Sequence, residues 1–214
     1  MKRSFDEELV ARLEALYPEA LCGLHFEGEP WKLLVMSRLS AQCTDKRVNE
    51  ISLVLFERYP TLSELADCDL SELEEIVRPC GLFRTKARDI KAACEKLRDE
   101  YDGILPDDID TLLTFPGVGR KIANLIVGDV YGKPAIVADT HCMRLAGRFG
   151  YCEEGTKDAP KVERILKGRI APDKQNDFCH RLVLFGRDVC RAQRPLCEEC
   201  PLSDLCRSEM KKKA

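Results

Sequence analysis

Two groups of residues in this 214-residue chain have types and spacings that can do chemistry. The first is CRAQRPLCEECPLSDLC, in which Cys190, Cys197, Cys200 and Cys206 follow a C-x6-C-x2-C-x5-C spacing. Four thiolates so close in sequence can close a tetrahedral shell around zinc or hold the corners of an iron–sulfur cube. Structural zinc more often uses two paired knuckles, and here a single C-x2-C pair exists, so the spacing favours a [4Fe-4S] cluster while leaving zinc as the alternative. Arg187, Arg191, Arg194 and Arg207 flank the segment. A thiolate-ligated cube is anionic, so these arginines would stabilise it, and those pointing outward could contact phosphates. Such a cluster would fix the shape of the 190–197 loop; it would be structural.

The second group is FPGVGRKIAN, residues 115–124. Gly117 and Gly119 should mark a sharp turn with unusual backbone angles, followed by a helix from about Arg120 to Val130. Lys121 then falls in the first helical turn, where the positive end of the backbone dipole disfavours a cation. Either Lys121 is a surface phosphate contact, or its awkward placement has a use. Lysine attacks carbon only as the neutral amine, and desolvation and a helix N-terminus both disfavour the charged form. The turn itself should aim backbone N–H groups at a phosphate. Further on, Asp139 opens Asp-Thr-His ahead of an apolar-periodic helix, the pattern of an N-cap, with Thr140 and His141 supporting the helix start.

The elements that must position these residues are helical. Apolar residues recur at three- and four-residue spacing: Trp31, Leu34, Val35 and Leu39; Val48, Ile51, Val54 and Leu55; Leu70, Leu73, Ile76 and Val77; Ala87, Ile90, Cys94 and Leu97. Thr61 to Glu64 forms a possible capping box, and Asp110 is placed to cap a short helix over TLLTF. Val162, Ile165 and Leu166, then Leu182, Val183 and Phe185, continue the pattern, and PAIVADT is the one strand-like run. The expected fold class is all-α, with short connections.

Composition narrows the setting. The net charge of −3 is unevenly placed: residues 1–110 hold 15 basic and 24 acidic residues, whereas the remainder is net basic, which suits a polyanionic partner or is merely solvated surface. The charged opening MKRSFDEELV is unlike a secretory leader, and no apolar run is long enough to span a bilayer, so a cytoplasmic protein with no membrane partner is expected. Of the 12 cysteines, the eight outside the C-terminal cluster are scattered among apolar residues and are read as core side chains or inert thiols. The one charge run is Lys211-Lys212-Lys213.

Taken in order, these motifs resemble the endonuclease III family of helix-hairpin-helix DNA glycosylase/AP lyases, from about Leu33 to Cys206. LSAQCTD (39–45) is similar to the family's LSAQ-x-TD, GLFRTKARDI (81–90) to GL-[FY]-x-x-KA, and VADTHCMR to V-x-DTH-x-x-R. FPGVGRKIAN matches LPGVGRK-x-AN with Phe115 in place of leucine. The resemblance implies two helical domains flanking a DNA-binding cleft: a six-helix domain at 22–133 carrying the hairpin, and an iron–sulfur domain from 1–21 with 134–214. It implies that Lys121 attacks sugar C1′ of a flipped nucleotide and that Asp139 assists it. It places Gly117, Val118, Gly119 and Arg120 against a phosphate, with a monovalent cation on the hairpin carbonyls as a further expectation. Gln42 would fill the gap left by the flipped base and Leu82 would wedge the opposite strand; as bland alternatives these are a helix-surface amide and a core leucine. Arg191 and Arg194 are further DNA-contact candidates. The expected substrate is damaged double-stranded DNA carrying oxidised pyrimidines, and the expected state is a nucleoid-associated monomer. An adenine glycosylase of the same superfamily would generally lack the lysine, and a non-enzymatic DNA-binding or redox-sensing cluster protein has no need of Lys121 and Asp139 in register.

Overall fold

The computed structural model describes residues 3–212, which excludes Lys213 of the terminal lysine run. Among the described residues the chain forms α-helices and short 3-10 turns without a strand. The helices are α1 (Phe5–Leu16), α2 (Pro30–Leu39), α3 (Asp45–Arg58), α4 (Leu62–Ala66), α5 (Leu70–Val77), α6 (Phe83–Tyr101), α7 (Ile109–Leu112), α8 (Arg120–Asp129), α9 (Thr140–Arg148), α10 (Ala159–Lys167) and α11 (Gln175–Asp188). They fall into two compact units, one spanning Cys22–Tyr131 and the other joining Met1–Leu21 to Gly132–Ala214.

In the first unit α6 is the central helix. Its Ala87, Ile90, Ala93, Cys94 and Leu97 are buried, and it packs on α2, α4 and α5. Each large apolar side chain so buried contributes roughly 1.5–3 kcal/mol. Helix starts are specified locally: Thr61 and Glu64 form a reciprocal capping box on α4, and the Thr44 and Asp69 side chains accept from backbone N–H groups of α3 and α5. Two sequence expectations change. The cap of α7 is Asp108, whose carboxylate accepts from Thr111 N at 2.8 Å, so Asp110 lies inside the helix instead of before it. On α3 the inward face is Val48, Ser52 and Leu55, and Val54 points outward, since a four-residue step followed by a three-residue step keeps to one face where 48 to 54 does not.

The second unit is built around α11, which packs on α1 and α9. Leu9 and Leu13 of α1, Leu145 of α9, and Phe178, Leu182 and Phe185 of α11 are fully or nearly fully buried. The Phe149 and Phe185 rings stack with centroids 6.3 Å apart. The strand-like run before α9 is buried at Ala135–Ala138 but forms no strand.

Candidate nucleic-acid and iron–sulfur sites

The turn before α8 is anchored from inside and bare outside. Phe115 and Val118 are buried, the Phe115 ring lies 5.2 Å from that of Tyr101, and Val118 N donates to the Phe115 carbonyl at 3.1 Å. Gly117 has φ +71°, a conformation that favours glycine. A Cβ there would sit 2.6 Å from Arg38 Nε and 2.8 Å from Asp89 Cβ. Those two side chains form a sheltered ion pair, Arg38 Nη2 to Asp89 Oδ2 at 2.6 Å, that braces the turn from α2 and α6. Gly119 does not have the unusual angles expected of it: its φ of −98° and ψ of 176° are ordinary extended backbone. A Cβ on Gly119 would meet nothing within 4 Å, so the chain's own packing does not demand glycine there.

Gly119 is the N-cap of α8, no side chain caps this helix, and its first turn holds no acidic residue. The first N–H groups of a helix lack intrahelical acceptors and carry the positive end of the dipole. Arg120 and Lys121 both extend from this start and are exposed. The helix N-terminus expected around Lys121 is thus present, but the expected desolvation is not supplied by the folded chain, because the side chain projects from the first turn away from the core.

Gln42 and Leu82 share a feature invisible in the sequence. Gln42, in the α2–α3 connection, has φ +54°, and Leu82, the N-cap of α6, has φ +49°. Left-handed backbone is costly for residues with a Cβ and for leucine is uncommon. Leu82 is 54% exposed, so it is not the core leucine of the bland alternative, and Gln42 is exposed on a turn, not on a helix surface. Strained backbone that displays an amide and an apolar side chain to solvent is a pattern that accumulates at binding sites. Arg194, in the cysteine segment, is also exposed with φ +53°, and Arg191 beside it is exposed with its Nε on the Arg187 carbonyl at 3.2 Å.

In the second unit, Asp139 caps α9: Oδ1 accepts from Cys142 N at 2.7 Å, and the residue is half-buried. The same helix reaches the cysteine segment. Arg144 donates to the Gly186 carbonyl at 3.0 Å and to the Cys190 carbonyl at 3.1 Å, and its Nη2 lies 3.2 Å from His141 Nδ1. Arg148 is buried; its Nη1 lies 3.1 Å from Cys190 Sγ and donates to the Arg191 carbonyl at 2.9 Å. Sequence reasoning placed Arg187, Arg191, Arg194 and Arg207 around this site, to stabilise it or to contact phosphates; all four are exposed, and the arginine beside the Cys190 sulfur comes from α9. The four-residue spacing of Arg144 and Arg148 on a helix was the available signal, since residues so spaced share a face.

Cys190, Cys197, Cys200 and Cys206 line one small cavity, together with apolar Val189, Leu196 and Met210. All four thiols are half-buried. Burial pushes the Cys190 and Cys200 thiols up, and on Cys190 the neighbouring Arg148 pulls the other way. Four cysteine thiols around one cavity are a donor set that fits a [4Fe-4S] cube, with each thiolate on a separate iron.

Comparison with known proteins agrees with this geometry. The family model for HhH-GPD superfamily base excision DNA repair proteins matches residues 35–172, and that for the iron-sulfur binding domain of endonuclease III matches residues 190–206. Endonuclease III of Synechocystis sp. is 41% identical over 208 residues, covering 97% of this chain and 94% of its own. A solved non-covalent endonuclease III–DNA complex is similar with TM-score 0.91 and 39% identity over 99% of each chain. A trapped endonuclease III–DNA covalent intermediate, an estranged-adenine complex, is similar with TM-score 0.91 and 39% identity over the whole of both chains.

Proposed function

Because this chain belongs to the HhH-GPD superfamily of base excision DNA repair proteins and, within it, to the endonuclease III family with its iron–sulfur binding domain, we propose that it excises oxidised pyrimidines from duplex DNA and cuts the strand through a Schiff base on Lys121. The enzyme class is DNA glycosylase and AP lyase, and DNA is its partner. Among the described residues no helix is long and apolar enough to cross a membrane. We assign it to the cytoplasm with the nucleoid, as a monomer.

The uncapped start of α8, with exposed Lys121 in its first turn, carries the assignment. A capping carboxylate would satisfy the N–H groups and pair with the lysine; this start keeps both available. Backbone phosphate settles on the N–H groups of the Gly117–Gly119 turn, where the missing Cβ of Gly119 permits close approach, and Arg120 adds charge. A monovalent cation on the hairpin carbonyls belongs to the same picture: the Phe115 carbonyl accepts from Val118 N and retains a second lone pair. The approaching DNA excludes water from around Lys121.

Neutral Lys121 Nζ attacks C1′ of the flipped nucleotide, the C1′–N bond breaks, and the base leaves with a proton. The C1′–O4′ bond then opens to give an iminium between Nζ and C1′. Loss of a C2′ proton expels the 3′ phosphate, cutting the strand on that side, and water releases the lysine. Asp139 stabilises the positive charge that develops on the sugar. Gln42 fills the space left by the flipped nucleotide and Leu82 wedges the opposite strand. Arg191 and Arg194 contact backbone phosphates. When bound, the [4Fe-4S] cluster braces the 190–206 segment through its four cysteines; the Arg148 and Arg144 contacts hold that segment on α9.

Borohydride trapping on duplex DNA with an abasic site or thymine glycol tests the proposal, with wild type beside Lys121→Ala. A covalent protein–DNA band for wild type alone is expected. A band that persists in Lys121→Ala assigns the Schiff base to another amine; retained base excision without any band makes the protein a monofunctional glycosylase.

A further inference from the structure

The largest fully buried side chain in the first unit is a lysine. Lys86 has no exposed surface, and its Nζ donates to the Leu39 carbonyl at 2.8 Å and to the Cys80 carbonyl at 2.7 Å. A buried ammonium is costly unless its hydrogen bonds are met. Both acceptors lie at helix C-termini, Leu39 ending α2 and Cys80 ending the 3-10 turn Arg78–Cys80. The negative ends of two backbone dipoles therefore converge on one cation.

Just beyond each acceptor the backbone turns left-handed. Three residues past Leu39 is Gln42 at φ +54°, and two past Cys80 is Leu82 at φ +49°. The Lys86 backbone N–H also donates to the Leu82 carbonyl at 3.0 Å. Cys43, next to Gln42, neighbours Cys80, whose thiol is pushed up to about 11 by burial and by that neighbour. On the same face of α6, three residues on, Asp89 holds Arg38 against the Gly117 turn.

We infer that Lys86 is a positioning residue that sets the Gln42 and Leu82 turns at a fixed spacing, so that both side chains enter the duplex together. This rests on the assignment of Gln42 and Leu82 as the residues that fill and wedge DNA. Lys86 itself touches no substrate. Its two hydrogen bonds replace what would otherwise be two unpaired carbonyls beside strained backbone.

The test compares strand cleavage at an abasic site in duplex DNA with cleavage of the same strand lacking its complement. 2-Aminopurine opposite the site reports displacement of the facing base. Lys86→Met and Lys86→Gln are measured beside Gln42→Ala and Leu82→Ala, each at a temperature well below its own melting point. For Lys86→Met, kcat/KM on duplex is expected to fall about 10- to 100-fold, the scale of an ångström-level misplacement. Single-strand cleavage should change far less, and the 2-aminopurine rise should be slowed or lost. Lys86→Gln, which keeps one donor group, should fall between Met and wild type, and carries the test if Lys86→Met does not fold. Equal losses on both substrates at Lys86, with duplex-selective losses at Gln42 and Leu82, would reduce Lys86 to a stability residue. Unchanged duplex cleavage in the Lys86 variants overturns the inference directly. If Gln42→Ala and Leu82→Ala show no duplex-selective loss, the underlying DNA assignment fails instead, whatever Lys86 does.

Discussion

Helix α8 begins at Gly119 with no side chain on its leading N–H groups and Lys121 projecting into solvent, whereas α9 begins at Asp139 with a carboxylate already bonded to the backbone of Cys142. Both starts follow a short irregular segment, and both open a helix of comparable length. The first is less favourable for the isolated protein: a cation sits at the positive end of the dipole, and glycine in place of a capping side chain forgoes about a few tenths of a kcal/mol. The second is locally satisfied. The contrast teaches where a partner is required. Side-chain caps are absent from α2, α6 and α11 as well. What distinguishes α8 is the bare glycine start with exposed Arg120 and Lys121 in its first turn, which an arriving anion would complete. A capped start can hold a carboxylate in a defined orientation without one.

Lys121 is where that contrast should break most sharply. Lys121→Ala is expected to abolish borohydride trapping and to lower base excision by roughly a thousandfold or more, about 4 kcal/mol of transition-state stabilisation. DNA binding by gel shift should persist, because the N–H groups of α8 remain. A parallel fall in binding and turnover would return Lys121 to the role of phosphate contact.

Asp139 separates its own two roles. Asn caps a helix nearly as well as Asp, so Asp139→Asn should leave the melting temperature close to wild type while turnover drops roughly a hundredfold. Asp139→Ala should show the same turnover loss and, in addition, lose about 1 kcal/mol of stability from the missing cap. If Asn restores activity along with stability, the carboxylate charge has no catalytic part and Asp139 is a cap alone.

Much of this was legible in the letters because it is local. Helix spans, the capping box at Thr61, the end of α6 at Asp102 and the turn at Gly117 follow from residues within a few positions of one another. The failures are equally physical. Asp108 won the α7 cap over Asp110 because only its carboxylate, three residues before Thr111, reaches that N–H. The left-handed backbone of Gln42 and Leu82 could not be read, since neither type prefers it and tertiary contacts impose it. Nor could the burial of Lys86 be foreseen: its acceptors are two backbone carbonyls, one of them 47 residues away, and carbonyls carry no sequence signal.

Arg148 extends the comparison to the far end of α9. That helix holds Asp139 at its start and the Cys190 segment at its end, so loosening the clamp should be felt first at the cluster. Arg148→Met keeps the stem but removes the bonds to Cys190 Sγ and the Arg191 carbonyl. Cluster loss, followed by bleaching of the visible iron–sulfur absorption under chelator, should accelerate roughly 10- to 100-fold, the usual scale for a residue that orients a metal ligand. Trapping by Lys121 should weaken only as fast as the cluster bleaches. Bleaching at the wild-type rate would mean the cluster cysteines do not depend on α9.

The smallest effects are expected at the two glycines, and their order is the informative part. Gly117→Ala forces a Cβ into left-handed backbone and against the Arg38–Asp89 pair, so it should destabilise by about 2 kcal/mol and disturb DNA binding through the displaced turn. Gly119→Ala meets nothing in the protein and changes only the cap, so its stability cost should be about 0.5 kcal/mol. Yet a methyl group there occupies the approach to the α8 N–H groups, and DNA affinity should fall roughly tenfold, or about 1.4 kcal/mol. Melting and titration of the two variants side by side separate the possibilities. A stable Gly119→Ala that binds poorly means the open space above α8 is shaped for phosphate. A Gly119→Ala that binds as wild type means the space is incidental, and the bare helix start must then act through Arg120 and Lys121 alone.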